Sequence, residues 1–490
     1  MNLDGQLISD MERDDLHREV YRTQGKLTSC FGYDAMDRKT WQFASNLQMD
    51  KLSGVHNPGI NTSLLVEHAY NPIHRRYQYD PAGELTRTLD KLRGEIKYEY
   101  EANGQLHSRD TGQLVDSEEF RYDAAANRLN FNTSQFDHVK DNRIKQWRDQ
   151  EYSYDPWGNL IEKRIGLTTL QTFSYDCENR LVKAETLVNS KLESIGTYRY
   201  DGLGRRIGKT SIKDGKTEHK NFLWQGLRML REESPQQSSL YIYEPGSYAP
   251  LARVDQSEGE EQKLYYFHTD QIGTPLEMTD VEGQIVWQAT YKAWGSIETL
   301  AVNEVEQNLR FQGQYFDDET GLHYNTFRYY DPQVGRFITQ DPISILGGAN
   351  LYQYAVNPLG WLDPLGWAGN PANATHITYE GIKNGKPYIG YASKPGLGHA
   401  AQDVLEYIYS STAHFDYDPV PIFVGDGQSG KDTARGLEQR IFEDKNGLEG
   451  TSNKQNPVGK NNPNRDRYLA AADENRAGGA KSSGTKGVAC

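Results

Sequence analysis

Glu438 is the residue whose position in this sequence most strongly indicates chemistry. It lies inside a predicted helix, where Ala434, Ile441 and Phe442 share its apolar face. A carboxylate on the apolar side of a helix costs free energy unless an opposite charge pairs with it or it holds a cation. Two interpretations stay open at this point: a cation ligand, or a structural glutamate that reaches solvent or pairs with Arg435 three residues earlier.

The elements around Glu438 are predicted from apolar spacing and turn-forming residues. Asn384-Gly385 is a strong signal for a hairpin turn, Asp432 is a suitable N-cap for the second helix, and Asn446-Gly447 is a suitable stop. In chain order the expected elements are strands at Thr375–Tyr379 and Lys386–Tyr391, a helix at His399–Tyr409, a strand at Pro421–Val424 and a helix from Asp432 to Asn446. His376 and Tyr391 are interpreted as ordinary strand residues. The order β-β-α-β-α predicts a small α+β module.

The same stretch carries short motifs in a fixed order. They are Tyr379, Tyr388-Ile389-Gly390, Ala434–Gln439, Asn453–Pro457 and Asn462-Pro463. The Tyr-Ile-Gly triplet alone has little specificity, whereas the ordered set from residue 379 to residue 463 is fairly specific. The set resembles the GIY-YIG nuclease superfamily and, more narrowly, the toxin branch of that superfamily.

The resemblance implies a role for each motif. The family holds one divalent cation, expected to be Mg²⁺, with a helix glutamate that maps onto Glu438. Its paired strand tyrosines, here Tyr379 and Tyr388, position or deprotonate the attacking water. The further binding residues that it implies are Gly390 and a late asparagine, Asn453 or Asn456. Oxygen ligands around Mg²⁺ suit phosphodiester cleavage, because the ion neutralises charge that develops on the scissile phosphate.

Two positions depart from the family's pattern. The first motif is Ile377-Thr378-Tyr379, without the family's leading glycine. The family also places an arginine on its first helix to steady the phosphate, and no arginine occurs between Ala368 and Thr433. Lys394, His399 and Arg435 are equally good substitutes, so His399 and Arg435 are candidate catalytic residues. His399 is explained at least as well as a polar residue at a helix start.

A tyrosine-aspartate unit recurs along the first half of the chain. The units are Tyr77–Asp80, Tyr98–Glu101, Phe120–Asp123, Tyr152–Asp155, Phe173–Asp176 and Tyr198–Asp201. The aromatic-x-aromatic spacing puts both rings on one face of a strand, and the acidic residue with a following Gly or Asn favours a turn. One unit cannot bury its aromatic face alone. The pattern therefore predicts hairpins that stack into a continuous sheet, in which these residues are structural.

These units and the segment that follows them resemble the Rhs family of YD-repeat proteins. The motifs of that segment are Tyr266–Pro275, Gly321–Asn325, Arg328–Pro332, Gly335–Ile338, Gln340–Pro342, Gly347–Tyr354 and Asp363–Trp367. The resemblance divides the chain into YD repeats at 1–264, an Rhs core-associated domain at 265–367 and a toxin domain at 368–490. It implies a mostly β fold, with the repeats wound into a shell, followed by a small α+β domain.

The end of the repeat region carries two Asp-Pro dipeptides. In the Rhs family an Asp-Pro-x-Gly-Leu motif ends the shell, and many members cut themselves just after it. Aspartate-assisted hydrolysis needs two carboxylates near one peptide bond, one ionised and one protonated. Asp341 and Asp363, with Arg336 to bias their ionisation, match the family's positions and imply cleavage between Trp367 and Ala368. Trp367 stands where the family has Leu, and the alternative is that both dipeptides only form turns.

Charge and cysteine content exclude several classes of protein. The tail from residue 368 carries 14 basic and 14 acidic residues, so the net charge of −14 belongs to residues 1–367. Cys30, Cys177 and Cys490 lie far apart, which argues against a disulfide framework or a zinc site. The sequence has neither a long apolar run nor a basic-then-apolar leader, so we expect no membrane span and no conventional signal peptide.

Together the two resemblances imply a polymorphic Rhs toxin for competition between bacteria, with a metal-dependent endonuclease at its C-terminus. The expected partners are nucleic acid, with DNA favoured over RNA, a cognate immunity protein and a component of a contractile, type VI secretion apparatus. Such a protein is cytoplasmic before delivery and then secreted without a conventional signal peptide. The alternatives are a non-nuclease toxin such as an ADP-ribosyltransferase, although the tail has no Glu-x-Glu element, and a non-enzymatic surface repeat protein.

Overall fold

The chain divides into two compact units in a computed structural model. The structure describes all residues except 1, 4–5, 17, 48, 53–54, 57–64, 131–138, 345–347, 367–373, 396–399, 409–414, 454–455, 460–464 and 483–490. The repeat unit comprises Met1–Pro342 and Asn350–Gly366, and the C-terminal unit comprises Ile343–Ala349 and Trp367–Cys490. Within the described residues the repeat unit is antiparallel β-sheet with one short helix, and the C-terminal unit is α+β. The expected fold class is confirmed.

The strands of the repeat unit follow one another in chain order within each sheet. A two-stranded ladder comes first, with β1 (Asn2–Leu3) and β2 (Gln6–Leu7). The nine-stranded sheet contains β3 (Met11–Arg13), β4 (Glu19–Gln24), β5 (Leu27–Tyr33), β6 (Lys39–Ser45), β7 (Ile73–Tyr79), β8 (Leu85–Asp90), β9 (Gly94–Tyr100), β10 (Leu106–Asp110) and β11 (Glu118–Glu119), with helix α1 (Met49–Leu52) between β6 and β7. Next is a second two-stranded ladder, with β12 (Val139–Lys140) and β13 (Arg143–Ile144).

A fifteen-stranded sheet and a four-stranded sheet complete the repeat unit. The larger contains β14 (Gln146–Trp147), β15 (Gln150–Tyr154), β16 (Leu160–Ile165), β17 (Thr169–Tyr175), β18 (Leu181–Val188), β19 (Lys191–Tyr200), β20 (Arg206–Lys213), β21 (Lys216–Gln225), β22 (Arg228–Glu233), β23 (Gln237–Tyr243), β24 (Pro250–Ser257), β25 (Lys263–Thr269), β26 (Pro275–Thr279), β27 (Ile285–Tyr291) and β28 (Ile297–Asn303). The smaller contains β29 (Tyr315–Asp317), β30 (Leu322–Asn325), β31 (Arg328–Asp331) and β32 (Arg336–Phe337).

Five of the six tyrosine-aspartate units lie at the ends of strands, as their pattern predicts, and the sixth, Phe120–Asp123, follows β11. The first aromatic of five units is buried, at 8% exposure or less: Tyr77, Phe120, Tyr152, Phe173 and Tyr198. The second tyrosine donates its hydroxyl to a carbonyl at the start of the preceding strand, as Tyr175 does to Leu160 at 2.7 Å and Tyr200 to Leu181 at 2.6 Å. Each unit therefore ties one hairpin to its neighbour, and the expected stacking into a sheet is confirmed.

The C-terminal unit is built on a three-stranded antiparallel sheet in the order β34-β33-β35. Its elements are β33 (Ala374–Lys383), β34 (Lys386–Pro395), α2 (Ala401–Ile408), β35 (Tyr417–Asp426), α3 (Gly427–Asp444), α4 (Gly447–Gly450) and α5 (Arg465–Ser482). The predicted order β-β-α-β-α is confirmed as far as α3. The left-handed conformation of Asn446 (φ 68°) and Gly447 (φ 60°) follows α3, where the sequence predicts the stop.

In the C-terminal unit the predicted start of one helix was wrong, and another helix was not predicted. Helix α3 begins at Gly427, five residues before the predicted N-cap, so Asp432 lies inside the helix. Gly430 packs against the backbone of Gly425, where a side chain would overlap it, and this close approach outweighs the poor helix propensity of glycine. Helix α5 was not predicted, because its sequence shows no apolar stripe. None of the helices in the described part of the chain is long and apolar enough to span a bilayer.

Candidate functional site

The β33–β34 hairpin brings the two motif tyrosines onto one face of the sheet. Its turn is Asn384-Gly385, and both residues have positive φ, at 55° and 70°. The register pairs Tyr379 with Gly390 and Gly381 with Tyr388, and directly paired residues point to the same face. The Tyr379 and Tyr388 ring centroids lie 6.4 Å apart. The predicted juxtaposition of the two rings is therefore present.

Gly390 leaves the space that the Tyr379 ring fills. A Cβ at residue 390 would overlap the end of that ring, so any other residue would displace the tyrosine. The ring is 2% exposed and belongs to a core with Val404 and Leu405 of α2, against which Tyr388 also packs. Gly390 thus acts through the placement of Tyr379.

A second group of polar side chains lies on the opposite face of the hairpin. Tyr391 pairs with Thr378 in the register, one position out of phase with Tyr379, so its ring projects to the other side of the sheet. The Tyr391 hydroxyl lies 2.7 Å from Nδ1 of His376, and the two rings stack at 14° with centroids 5.8 Å apart. His376 is 1% exposed, so the Tyr391 hydroxyl contacts a buried imidazole ring.

Helix α3 adds an ion pair to this second group. Nη1 of Arg435 donates to Oε2 of Glu438 at 2.6 Å, its Nη2 donates to the Pro457 carbonyl at 2.7 Å, and its guanidinium lies 5.0 Å from the centre of the Tyr391 ring. Burial raises the pKa of Glu438 to about 7, although Arg435 and a backbone hydrogen bond from Tyr391 both act to lower it. Burial also raises the pKa of the Tyr391 hydroxyl.

The remaining predicted residues differ in what they contact. Asn453 accepts the Ile389 N–H at 2.9 Å and donates to the Ile389 carbonyl at 2.7 Å, so it anchors strand β34 next to the motif. Asn456 is exposed. Lys394 lies opposite Thr375 in the hairpin. His399 lies outside the described residues.

The structure thus assembles two clusters where the sequence predicts one site. Tyr379, Tyr388 and Gly390 form the first, and Glu438 with Arg435 belongs to the second. Two further members of the second cluster, His376 and Tyr391, were interpreted from the sequence as ordinary strand residues. The available signal was strand alternation: residue 391 has the opposite parity to Tyr379 after the hairpin register is applied. The second cluster is named here the Glu438 cluster: His376, Tyr391, Arg435 and Glu438.

Two buried aspartates meet at the end of the repeat unit, but their arginine is not the predicted one. Nη2 of Arg328 lies 2.9 Å from Oδ2 of Asp341 and 3.4 Å from Oδ2 of Asp363, with all three side chains at most 4% exposed. Burial lowers the pKa of Arg328, although both aspartates act to raise it. Arg336, which the sequence suggested for this role, instead donates to Asn127 at 3.2 Å and lies over the Tyr352 ring.

The segment before the expected cleavage point is held against the β30–β31 hairpin. Nδ2 of Asn325 donates to the Asp363 carbonyl at 2.8 Å, and the Phe327 N–H donates to the Leu365 carbonyl at 3.4 Å. Gly366 has φ of 72° and lies so close to the Asn325 carbonyl that a Cβ would overlap it. Trp367 lies outside the described residues. These contacts therefore position the chain as far as Gly366, the residue before Trp367.

A family model for the Teneurin YD-shell matches residues 77–357. The chain belongs to the Teneurin YD-shell family. This agrees with the Rhs/YD-repeat membership that the repeat motifs implied. The match includes Arg328 and Asp341 and ends before Asp363, so it identifies the repeat unit and not the chemistry of the C-terminal unit.

The curated relatives of this YD-shell protein are longer proteins with different named activities. Double-stranded DNA deaminase toxin A of Burkholderia cenocepacia is 42% identical over 392 residues, which cover 75% of this chain and 26% of that protein. Toxin protein Tse5 of Pseudomonas aeruginosa is 32% identical, covering 60% and 27%. The probable deoxyribonuclease RhsA of Dickeya dadantii is 31% identical, covering 61% and 21%. The chain therefore spans about a quarter of the length of these relatives.

Solved structures show the same shell fold. A Tc holotoxin pore from Photorhabdus luminescens superposes with a TM-score of 0.52 at 17% identity, covering 75% of this chain and 19% of that chain. The TcdB2-TccC3 complex superposes with a TM-score of 0.50 at 18% identity, covering 74% and 20%. At these identities the likeness concerns the fold of the YD-shell.

Proposed function

We propose that the C-terminal unit of this YD-shell protein is a metal-dependent endonuclease that acts as a toxin. The observation that carries the proposal is Glu438, a carboxylate that is 6% exposed and whose pKa burial raises to about 7. Its charged partner is Arg435 and its neighbour is the hydrogen-bonded Tyr391. A buried group with a perturbed pKa and a specific charge partner is typical of functional sites. The names of the deoxyribonuclease relatives support the same class of activity.

The donor set fits a magnesium ion that is shared with substrate. Mg²⁺ is commonly bound through one or two carboxylates together with substrate phosphates and water. Glu438 supplies one carboxylate. Within the described residues no group of three His, Cys, Asp or Glu side chains gathers at one point, so the other ligands would come from water and the phosphodiester. When bound, the ion would neutralise charge on the scissile phosphate.

The protein's own residues then have the following roles in the proposal. Tyr391, whose hydroxyl lies beside His376, orients the attacking water next to Glu438. Tyr379 and Tyr388, the residues that the motif suggests for this role, lie on the opposite face of the sheet, where Gly390 leaves the space for the Tyr379 ring and both rings pack against α2. Arg435 binds a phosphate oxygen and, in doing so, gives up part of its ion pair with Glu438. Asn453 fixes β34 through Ile389. The roles of His399 and Asn456 in binding stay proposals from the motif alone.

Deamination, the activity in the name of the 42% identical relative, is a poorer fit to this tail. Zinc deaminases hold their metal with a histidine and two cysteines, or with three cysteines. The tail from residue 368 contains a single cysteine, Cys490. The shared shell and the different names of the relatives instead support a carrier that serves several C-terminal activities.

The test of the nuclease is incubation of the full chain with plasmid DNA and with total RNA, in Mg²⁺ or in EDTA. We expect strand cleavage in Mg²⁺ and none in EDTA. Because total RNA and plasmid are supplied separately, the same experiment decides between the two substrate classes. Intact DNA and RNA after incubation with Mg²⁺ would contradict the proposal.

A toxin of this kind implies partners and a route of delivery. We propose that a cognate immunity protein binds the C-terminal unit in the producing cell, since the nuclease would otherwise act on that cell's own nucleic acid. The named toxin relatives support delivery as an effector. Export by a contractile, type VI secretion apparatus without a conventional signal peptide is the corresponding proposal for its localisation.

The aspartate pair supports a second proposed activity, hydrolysis of the peptide bond between Trp367 and Ala368. Asp341 and Asp363 share one nitrogen of Arg328. Aspartate-assisted hydrolysis needs one ionised and one protonated carboxylate near one peptide bond, and this pair would supply the two groups. The ionised aspartate would take a proton from water as it attacks the Trp367 carbonyl, and the protonated one would give a proton to the departing amine. The Asp363→Asn variant described in the Discussion tests this step.

A further inference from the structure

Helix α3 carries a stripe of charged residues that ends at Glu438. Lys431, Arg435 and Glu438 stand at positions i, i+4 and i+7, which lie on one side of an α-helix. Each residue advances the helix by about 1.5 Å, so Lys431 lies about 10 Å along the axis from Glu438. The stripe therefore leads directly away from the proposed catalytic carboxylate.

A third cation reaches this stripe from helix α5. The Arg467 guanidinium contacts both carboxylate oxygens of Asp432, at 3.0 Å and 3.2 Å, and Asp432 is the residue next to Lys431. The Arg467 side chain is 54% exposed. Lys431, Arg435 and Arg467 are named here the basic ridge.

The charges of the basic ridge are unequally compensated within the protein. Asp432 neutralises Arg467, and Glu438 is the partner of Arg435. No salt bridge to Lys431 is present among the residues that the structure describes, although this lysine is half-buried. Burial lowers the pKa of Lys431; the neighbouring Asp432 acts to raise it, and the positive charges of Arg435 and Arg467 act to lower it. An external anion beside Lys431 would relieve this repulsion.

We propose that the basic ridge binds the phosphate backbone of a nucleic-acid strand beside the scissile phosphodiester, with Lys431 as the principal contact. The inference rests on the proposed nuclease function and extends it to the path of the substrate. A strand of B-DNA carries one phosphate per about 3.4 Å of helix axis, so the interval from Glu438 to Lys431 spans roughly three phosphates. Lys431 was not among the three residues considered from the sequence as substitutes for the missing helix arginine.

The experiment measures how binding of the full chain to a labelled oligonucleotide depends on salt. Fluorescence anisotropy in EDTA, between 50 and 200 mM salt, is compared for the parent, Lys431→Gln, Arg467→Gln and the control Arg440→Gln. Arg440 lies on the same helix, but its guanidinium pairs with Asp473 of α5 at 2.6 Å. Each phosphate contact contributes about 0.9 to the slope of log K against log salt for duplex DNA, and about 0.7 for a single strand.

We expect Lys431→Gln to bind more weakly and to lower the magnitude of the slope by about 0.7–0.9, Arg467→Gln to act in the same direction, and Arg440→Gln to match the parent. Equal slopes for Lys431→Gln and Arg440→Gln would overturn the inference, as would a parent that binds neither DNA nor RNA. Thermal unfolding of each variant checks that it is folded. A parent that binds but does not cleave in Mg²⁺ contradicts the nuclease, and the comparison of slopes still decides the role of the ridge.

Discussion

Two buried carboxylates of the repeat unit, Asp317 and Glu277, are compensated differently from Glu438 of the C-terminal unit. In the repeat unit, burial acts to raise the pKa of Asp317, but Arg206 and Lys209 hold it below its ordinary value. The same holds for Glu277, which Arg75 and Arg93 neutralise. In the C-terminal unit Glu438 has one arginine, and its pKa is raised to about 7. Fully neutralised charges serve the fold, whereas an incompletely neutralised one marks a site where chemistry is expected.

Tyrosine hydroxyls show the same contrast. In the repeat unit the second tyrosines of the units donate to main-chain carbonyls at strand starts, as at Tyr175 and Tyr200, whereas Tyr198 and Tyr315 donate to Glu319 and Glu232. In the C-terminal unit the Tyr391 hydroxyl meets a titratable ring, that of His376. A contact that repeats with the sequence repeat is structural.

The contrast is not uniform within the repeat unit. Burial raises the pKa of Asp270, and Asp341 and Asp363 both contact Arg328. Replacing Asp363 with Asn removes one of the two groups that hydrolysis needs, so we expect complete loss of self-cleavage. Expression of the parent should yield a fragment that begins at Ala368, of 490 − 367 = 123 residues, which mass spectrometry detects. Asp318→Asn, in an exposed pair with Lys213, is the control. An intact parent chain would refute self-cleavage.

Replacing Tyr379, Tyr388 or Tyr391 with Phe separates the two tyrosine clusters of the C-terminal unit. Each change removes one oxygen and retains the ring, and loss of a general-base contact typically lowers the rate about 10²–10⁴-fold. We expect Tyr379→Phe and Tyr388→Phe, whose rings lie on the face opposite Glu438, to be folded and to keep cleaving nucleic acid, whereas Tyr391→Phe in the Glu438 cluster should be folded, nearly inactive and harmless in cells that lack an immunity protein. Tyr175→Phe, in the repeat unit, should leave cleavage unchanged. If Tyr391→Phe still killed cells, the assignment of the Glu438 cluster as the nuclease site would fail.

The raised pKa of Glu438 makes the stability of the C-terminal unit depend on pH. Below the ordinary value of 4.5 both the folded and the unfolded glutamate are protonated. As pH rises from 4.5 to about 7 the unfolded state ionises first, so the free energy of unfolding falls, by about 3 kcal/mol at 1.36 kcal/mol per pKa unit. The loss is complete above pH 7.

The measurement is urea unfolding at pH 5 and pH 8, detected by pulsed hydrogen exchange of peptides from α3. Glu438→Gln should remove most of the difference between the two pH values. A parent that is equally stable at both, or more stable at pH 8, would show that Glu438 is fully compensated like Asp317.

The smallest effect is expected from the repeat tyrosines. Tyr175→Phe loses one hydrogen bond to the Leu160 carbonyl, which is worth about 0.5–1.5 kcal/mol. Thermal unfolding of the full chain should show a small destabilisation with no change in any activity. A loss of nucleic-acid cleavage in this variant would contradict the separation of structural and functional tyrosines.

The fold was largely predictable, because its signals are local. Within a few residues, each aromatic-x-tyrosine-aspartate unit determines where a strand ends, which face of the sheet its rings occupy and where the turn follows. Asn384-Gly385 likewise specifies the hairpin of the C-terminal unit. Helix α5 was not predictable by the same means, since it is held by ion pairs to α3, such as Arg440 with Asp473, that join residues 33 positions apart. The start of α3 depends in the same way on a tertiary contact, that of Gly430 with Gly425.

The sequence identified most of the individual candidate residues, but it did not show which of them lie together in the fold. Helix spacing already pairs Arg435 with Glu438. The hairpin register decides that Tyr391 projects to the face opposite Tyr379, and register depends on the turn. At the junction, Arg336 belongs to the motif but contacts Asn127. Arg328 reaches both aspartates because the Asp363–Gly366 segment is hydrogen-bonded to the turn between β30 and β31. Such long-range neighbours are fixed by the fold and are not visible in linear spacing.

The central claim is that Glu438 is a catalytic carboxylate, and its most direct test is cleavage by the Glu438→Gln full chain. The substitution keeps shape and hydrogen-bonding capacity while it removes the charge that would hold Mg²⁺. With plasmid DNA and total RNA in Mg²⁺, we expect the parent to cleave and the variant to be as inactive as the parent in EDTA, although it remains folded. Cleavage by the variant at the parental rate would show that Glu438 is only the structural partner of Arg435.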